Sequence, residues 1–223
     1  MDRFGVAIVI PALNEEVAIE HVIRAVMPYA VPVVVDDGSS DNTVIKARKA
    51  GAIVVVHMRN MGYDAALETG LFHAIKLGFC YAITMDGDGQ HMPETIELFK
   101  KRLEGGADLV IGIRDRHQRF AEALFALVGK YIWGVEDPLC GMKGYRLKLI
   151  ADIGYFDSYK SIGTEFTLYA ARSGYRIYQV PITTCERRGT SRFGVGLKGN
   201  WKIIKALAKG LMTTKNRKIK NLF

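Results

Sequence analysis

Tyr81 to Pro93 reads YAITMDGDGQHMP, and the rest of the chain arranges itself around that stretch. The run Ala82-Ile83-Thr84-Met85 has the composition of a buried strand. It breaks at Asp86-Gly87-Asp88-Gly89-Gln90-His91, and Pro93 opens a helix. Two carboxylates one residue apart face a common point only where a strand is ending, and the glycines supply that turn. Hard divalent cations such as Mg²⁺ or Mn²⁺ take such oxygens and fill their other positions with waters and a substrate phosphate. A diphosphate is the ligand this implies. Two other readings stay open at this level. Asp-Gly is a frequent hairpin dipeptide. A calcium-binding helix-loop-helix would place Glu94 and Glu97 at its ninth and twelfth positions counted from Asp86. Against it, His91 stands where that loop requires glycine, and a strand leads in.

Upstream, Gly5 to Ile10 (GVAIVI) is an apolar strand followed by Pro11-Ala12-Leu13-Asn14-Glu15-Glu16. Asn14 is placed to cap a helix whose apolar side carries Val17, Val22 and Val26. Val31 to Val35 is a second strand, ending in Asp36-Asp37-Gly38-Ser39-Ser40-Asp41. Asp41 caps a helix reaching about Ala50 and stopped by Gly51. A strand over Ala52 to Val56 and a helix over Gly62 to Leu77, stopped by Gly78, complete the half before Tyr81. Downstream, the helix from Pro93 to Glu104 ends at Gly105-Gly106, and Ala107 to Gly112 is a strand.

This β-α alternation with short connections predicts an α/β fold, a mostly parallel nucleotide-binding sheet with helices on both faces. Ligands of such sheets sit outside the carboxyl ends of the strands. Pro11–Glu15, Asp36–Asp41, Arg59–Gly62 and Asp86–Gln90 all fall at that edge. The second half is less regular. It offers an amphipathic helix from Arg119 to Gly134, a turn-rich loop from Asp137 to Arg146 and a helix from Ile162 to Ser173. A strand from Tyr175 to Val180 and a basic loop from Glu186 to Gly194 follow.

The net charge of +8 is unevenly placed. Residues 187–223 hold 11 Lys/Arg and no acid; 31 less 11 leaves 20 basic residues against 23 acidic ones in the body. A basic tail on a mildly acidic body favours a local electrostatic role and speaks against a nucleic-acid-binding surface. Every apolar run falls short of the roughly 20 residues a membrane-spanning helix needs. The N-terminus leads straight into a strand, so no leader is expected. Cys80, Cys140 and Cys185 lack metal-site spacing and read as reduced thiols of a cytoplasmic protein.

The ordered set Ile10-Pro-Ala-Leu-Asn-Glu15, Val35-Asp-Asp-Gly-Ser-Ser-Asp-Asn-Thr43, Asn60-Met-Gly62, Met85-Asp-Gly-Asp-Gly-Gln-His91, Gly112-Ile-Arg114, Asp137-Pro with Gly144-Tyr-Arg146, and Arg187-Arg-Gly-Thr-Ser-Arg192 covers roughly residues 5 to 194. It resembles the family 2 inverting glycosyltransferases, most of all the dolichyl- and polyprenyl-phosphate sugar synthases. The resemblance implies the glycosyltransferase A-type fold in one domain, 1–194, with 195–223 as a basic amphipathic helix and tail. It assigns Asp37, with Pro11, Asn14, Glu15, Asp36, Asn60 and Gly62 around it, to the nucleotide-sugar donor. It assigns Asp86, Asp88 and Gln90 to Mg²⁺ or Mn²⁺ and the diphosphate. Arg114 and Arg119 would face phosphates, Arg192 would close over the site, and Glu165 would lie near the acceptor. One departure is Asp64-Ala65-Ala66 where relatives usually carry Gly-Ala-Ala, and a carboxylate there bears on donor choice. Each assignment has a plainer counterpart: a turn at Asp36-Asp37 or Asn60, a solvated Arg114, a first-turn helix Glu165, a buried apolar Cys140. His91 is either a metal ligand or a cap for the helix that follows.

The reaction implied is displacement at a sugar anomeric carbon with a nucleoside diphosphate leaving. A polyprenyl phosphate acceptor is already ionised and needs no general base; a sugar hydroxyl on a glycan or lipopolysaccharide needs a carboxylate, Glu165 or Asp137. GDP-mannose and UDP-glucose both remain possible donors. In the tail, Leu197, Trp201, Ile204, Ala208 and Leu211 share a helical stripe, widened by Ile203, Leu207 and Met212, beside Lys198, Lys202, Lys205 and Lys209. That pattern suits either an interfacial helix on the cytoplasmic face of an anionic membrane or a helix packed on the body or on a membrane-anchoring subunit. A non-catalytic nucleotide-sugar scaffold is the reading from another functional class.

Overall fold

A computed structural model of the chain describes residues 5–115, 119–157, 161–183 and 197–212, the side chains of 197–199 and 202 excepted. The expected alternation is there: β1 (Val6–Ala12), α1 (Ile19–Val26), β2 (Val31–Asp36), α2 (Thr43–Lys49), β3 (Ile53–Val56), α3 (Tyr63–Lys76), β4 (Tyr81–Thr84), α4 (Thr95–Glu104) and β5 (Leu109–Arg114). The second half adds α5 (Phe120–Trp133), β6 (Lys143–Arg146), α6 (Leu147–Ile153), α7 (Thr164–Arg172), β7 (Ile177–Ile182) and α8 (Leu197–Met212).

The strands form one seven-stranded sheet in the order β3-β2-β1-β4-β6-β5-β7. Only β6 runs antiparallel, to both β4 and β5. It lies inside the segment expected to be loop, because four residues that include Gly144 carry too little apolar pattern to announce a strand. Period-2 alternation splits the core. Ile8, Ile10, Val34 and Ile83 face α1 and α4, whereas Ala7, Val9, Val33 and Ala82 face α3, α6 and α7. Burial of the β1 side chains on both faces is why that strand reads as a continuous apolar run.

Two details depart from expectation. Asn14 does not cap α1: the helix begins at Ile19 after a turn closed on the Glu15 carbonyl. Val17 is exposed for the same reason, while Val22 and Val26 are buried. Asp41 does hold the start of α2, its carboxylate accepting the Thr43 N–H at 3.0 Å.

The tail helix α8 joins the body. Ala206 and Leu207 pack with Phe125 of α5 and Leu168 of α7. A Cβ on Gly210 would lie 2.7 Å from Leu168 Cδ1, so the two helices meet closely there. The Arg172 guanidinium donates to the Gly210 carbonyl and lies over the Trp133 ring. Trp201, Ile204 and Leu211 of the central stripe read from the sequence, with Met212 of its margin, stay exposed; the side that packs is that of Leu207 and Ala206. Among the described residues no helix is long and apolar enough to cross a membrane.

Candidate active site

The sheet order reverses at β1: the chain moves outward through β2 and β3, then returns to place β4 on the other side of β1. The carboxyl ends of β1 and β4 therefore border the crevice that is the usual ligand position of an open α/β sheet. Pro11–Glu15 and Asp86–Gln90 border it, with the end of β2 beside them.

The loops after β1 and β2 are sewn together. The Ser40 N–H donates to Asn14 Oδ1 at 2.7 Å, and the Asn14 N–H donates to Ser39 Oγ at the same distance. Asn14 takes a left-handed φ of 47° to do so, a conformation its short amide side chain tolerates. The Glu15 N–H donates to Thr43 Oγ1 at 2.8 Å, and the Lys46 ammonium donates to the Glu16 carbonyl at 2.9 Å. Pro11 closes this floor: a Cβ on Gly87 would lie 3.3 Å from its carbonyl oxygen, so the β1 and β4 loops nearly touch.

Asp36 and Asp37 differ in state. Asp37 Oδ1 accepts the Met61 N–H and Oδ2 accepts the Gly62 N–H, both at 2.8 Å. His57 Nδ1 lies 2.7 Å from the same Oδ1, with its Nε2 3.0 Å from Thr69 Oγ1. Asp37 thus holds the 57–62 loop, Asn60 included, against the end of β2. Gly38 permits this packing: with φ at 81°, a Cβ there would lie 2.8 Å from the Asn60 nitrogen. Asp36 is as deeply buried, and its Oδ2 accepts the Ser39 N–H at 3.0 Å. Its Oδ1 has no hydrogen-bond partner among the described residues. A buried acceptor beside a crevice calls for an N–H or O–H donor.

At the end of β4, Asp86 is held from three sides. The Tyr63 hydroxyl donates to Oδ1 at 2.6 Å, His91 Nε2 lies 3.3 Å from Oδ2, and a Cβ on Gly141 would come within 2.8 Å of that same oxygen. Burial, reinforced by the Asp86 charge, pushes the Tyr63 phenol well above its ordinary value, so it remains a donor. Asp88 is buried, and its Oδ1 accepts the Gln90 N–H at 3.0 Å in a short turn. The donor set suits a hard divalent cation: two carboxylates one residue apart, with, among the described residues, an imidazole behind Asp86. Asp86, its side chain 30% exposed, is the more open of the pair. Among the described residues no three His, Cys, Asp or Glu side chains converge into a closed metal cage.

The arginines are paired with carboxylates. Arg114 Nε and Nη2 donate to the two oxygens of Asp137 at 2.7 and 2.9 Å. Its Nη1 lies 3.3 Å from Glu122 Oε2, and Arg119 Nη1 lies 3.3 Å from the other oxygen of Glu122. Burial alone would lower the Arg114 guanidinium; Asp137 more than reverses this and holds it above its usual value. The thiol of Cys140 beside them is pushed up to about 12 by burial, then by the Asp137 charge, which makes it an inert apolar filler and no nucleophile. Glu165 is buried in the first turn of α7, next to Thr164, whose hydroxyl donates to the Pro138 carbonyl at 3.3 Å. Asp64 Oδ1 accepts the Ile162 N–H at 2.6 Å, in front of α7. Arg192 and the basic loop lie outside the described residues.

Pro11, Asn14, Glu15, Asp36, Asp37, Asn60, Gly62, Asp86, Asp88 and Gln90 thus gather at one sheet edge. The Arg114–Asp137–Glu122–Arg119 group stands at the end of β5. His57, Tyr63 and Glu122 escaped the sequence reading. Tyr63 could have been suspected from its place beside Gly62; nothing local marks the other two.

The sequence profile of Glycosyl transferase family 2 matches residues 7–123. The chain belongs to that family. Its matched segment carries β1 to β5 and both carboxylate clusters. A dolichyl-phosphate hexose transferase of Haloferax volcanii is 31% identical to this family 2 chain, over 83% of it and 85% of the relative. A polyprenol monophosphomannose synthase of Mycolicibacterium smegmatis is 27% identical over 81% of this chain and 77% of the relative. In three dimensions the chain resembles glucosyl-3-phosphoglycerate synthase from Mycobacterium tuberculosis, solved with Mn²⁺, UDP and phosphoglyceric acid. The TM-score is 0.75 at 22% identity, over 95% of this chain and 80% of that one. The fold is the glycosyltransferase A type that the sequence led us to expect.

Proposed function

We propose that this glycosyltransferase moves a hexose, with inversion and with Mg²⁺ or Mn²⁺, from a nucleoside-diphosphate sugar to a polyprenyl phosphate. The observation that carries the reading is the pair Asp86 and Asp88 at the reversal point of the sheet, one partly open and one buried. Relatives named for transfer to dolichyl and polyprenol phosphates support the acceptor class, and the Mn²⁺ and UDP of the structural neighbour support the donor and metal.

In this reading Asp36, with its unpartnered buried oxygen, and the loop held by Asp37 receive the nucleoside. Asp86, Asp88 and Gln90 would hold the cation, whose Lewis acidity would offset the negative charge growing on the leaving diphosphate. Tyr63 fixes the Asp86 carboxylate by donating a proton it does not give up. Arg119, with its side chain 22% exposed, is better placed to meet phosphate than Arg114, which already forms a two-bond pair with Asp137. That pairing also disqualifies Asp137 as a base. An ionised acceptor phosphate attacks without one; a sugar hydroxyl would depend on Glu165.

The surface of α5 and α8 supports a membrane-side acceptor. Phe120, Leu127 and Tyr131 form an exposed stripe on α5 that starts beside Arg119. On α8, which packs against α5, Trp201, Ile204 and Leu211 are exposed too, as are Lys205 and Lys209. Aromatic and aliphatic groups flanked by lysines suit the interface of an anionic bilayer, at its cytoplasmic face; a membrane-anchoring subunit would be the alternative cover.

The test is transfer from radiolabelled GDP-mannose, UDP-glucose and related donors to polyprenyl phosphate in detergent, with Mg²⁺ or Mn²⁺, for wild type, Asp88→Ala and Glu165→Gln. Labelled lipid that disappears in Asp88→Ala and persists in Glu165→Gln is the expected outcome. Metal-dependent donor hydrolysis without labelled lipid would move the acceptor to a glycan hydroxyl.

A further inference from the structure

Three consecutive residues at the start of α3 reach three different parts of the crevice. The Gly62 N–H binds Asp37, the Tyr63 hydroxyl binds Asp86, and Asp64 accepts the Ile162 N–H at 2.6 Å. The same residue is held on its other side, through the following peptide. Lys143, fully buried on β6, donates from Nζ to the Ile162 carbonyl at 2.6 Å. Ile162 has a φ of 61°, and Gly163 follows at 65°. A left-handed conformation is routine for glycine, but for a β-branched residue it is a true outlier that persists only when its surroundings impose it. Here the imposing groups are visible: a carboxylate on one side of the residue and an ammonium on the other. The held residue leads directly into α7, whose first turn buries Glu165 and ties the Thr164 hydroxyl to the Pro138 carbonyl.

The placement gives this clamp a meaning for the reaction. With the nucleoside at Asp36 and the diphosphate at Asp86 and Asp88, the sugar and acceptor must lie beyond the diphosphate. That is the side on which Gly141, Pro138 and the first turn of α7 stand. We propose that Asp64 and Lys143 are positioning residues for acceptor use, clamping Ile162 through its N–H and its carbonyl so that the first turn of α7 is presented to the sugar-and-acceptor end of the crevice. The inference deepens the polyprenyl-phosphate transfer reading and rests on it for its kinetic consequence, while the clamp itself can be tested without it. Asp64, which stands out from the Gly-Ala-Ala pattern, thereby gains a role at the acceptor end of the crevice.

The experiment compares full-length wild type, Asp64→Ala, Asp64→Asn and Asp64→Ala/Ile162→Gly. Asparagine keeps an oxygen that accepts the Ile162 N–H; alanine keeps nothing; glycine at 162 takes the left-handed conformation without a clamp. Amide hydrogen exchange over residues 161–168 is expected to quicken roughly tenfold in Asp64→Ala, as for loss of one hydrogen bond to a charged group. It should stay near wild type in Asp64→Asn, with exchange in β1 and β2 unchanged in all. In transfer assays Asp64→Ala should raise the KM for polyprenyl phosphate by roughly tenfold at unchanged donor KM. Asp64→Asn and the double variant should recover most of it. Faster exchange spread over the whole chain, or donor and acceptor KM rising together, would overturn the proposal in favour of a general structural role. Wild type without lipid transfer would instead remove the acceptor reading, and the exchange result alone would then decide the clamp.

Discussion

Replacing Lys143 by methionine should change how the stability of this protein depends on pH, with a sign that follows from burial. The ammonium has no exposed surface, and burial pulls its pKa down from 10.5 to about 8, against the opposing pull of Cys140 and Asp137. Below pH 8 both the folded and unfolded chains hold the proton, and the folded state bears the full cost of a buried charge. Between 8 and 10.5 the unfolded chain still binds the proton that the folded chain has released, so stability rises with pH. At about 1.4 kcal/mol for each factor of ten, the whole rise is about 3 kcal/mol. Cys140 acts in the opposite sense. Burial raises its thiol from 9.0 to about 12, so above pH 9 the unfolded chain ionises first and stability falls again. The window from pH 8 to 9 therefore isolates Lys143 and is worth about 1 kcal/mol, or roughly 2–4 °C in melting temperature for a domain of this size. Thermal unfolding of wild type and Lys143→Met at pH 7.5 and 9.0 measures it. Wild type should gain stability across that interval and the variant should not. An equal gain in both proteins would refute the assignment of the effect to Lys143.

Other consequences follow from the same geometry. Gly141→Ala would place a Cβ 2.8 Å from Asp86 Oδ2. With Tyr63 and His91 holding that carboxylate, the carboxylate must shift, and turnover should fall roughly 10- to 100-fold at nearly unchanged melting temperature. Steady-state rates at saturating donor decide it, and a normal rate would show that Asp86 tolerates displacement. Glutamates at Tyr131 and Trp201, 81% and 68% exposed, should weaken sedimentation with anionic vesicles by roughly tenfold. The change should leave the melting temperature in place; vesicle binding that survives both substitutions would direct attention to the basic residues of 213–223. Asp88→Ala should abolish labelled lipid while Glu165→Gln retains it, and loss in both would require a base-dependent acceptor.

The local sequence determined most of the architecture. Continuous apolar runs at Gly5–Ile10 and Val31–Val35, glycine stops at 51 and 78, and acidic clusters after the strands are features of neighbouring residues. They survive in any fold that buries those runs. The edge on which the site lies followed as well, because parallel strands joined by short helical crossovers put all their carboxyl ends together. Hydrogen-bond allocation could not be read this way. Asp37 and Asp36 are adjacent and chemically identical, yet one is saturated by the 57–62 loop and the other keeps a buried oxygen without a partner. Arg114 reads as a free phosphate ligand until Asp137, 23 residues away, is seen to take two of its N–H groups. The β6 strand, the left-handed Ile162 and the choice of which α8 face packs on α5 are likewise set by partners distant in the chain. Periodicity along a sequence records which side of an element is apolar. Which group a carboxylate, guanidinium or ammonium finally binds depends on distances that exist only once the sheet has brought those elements together.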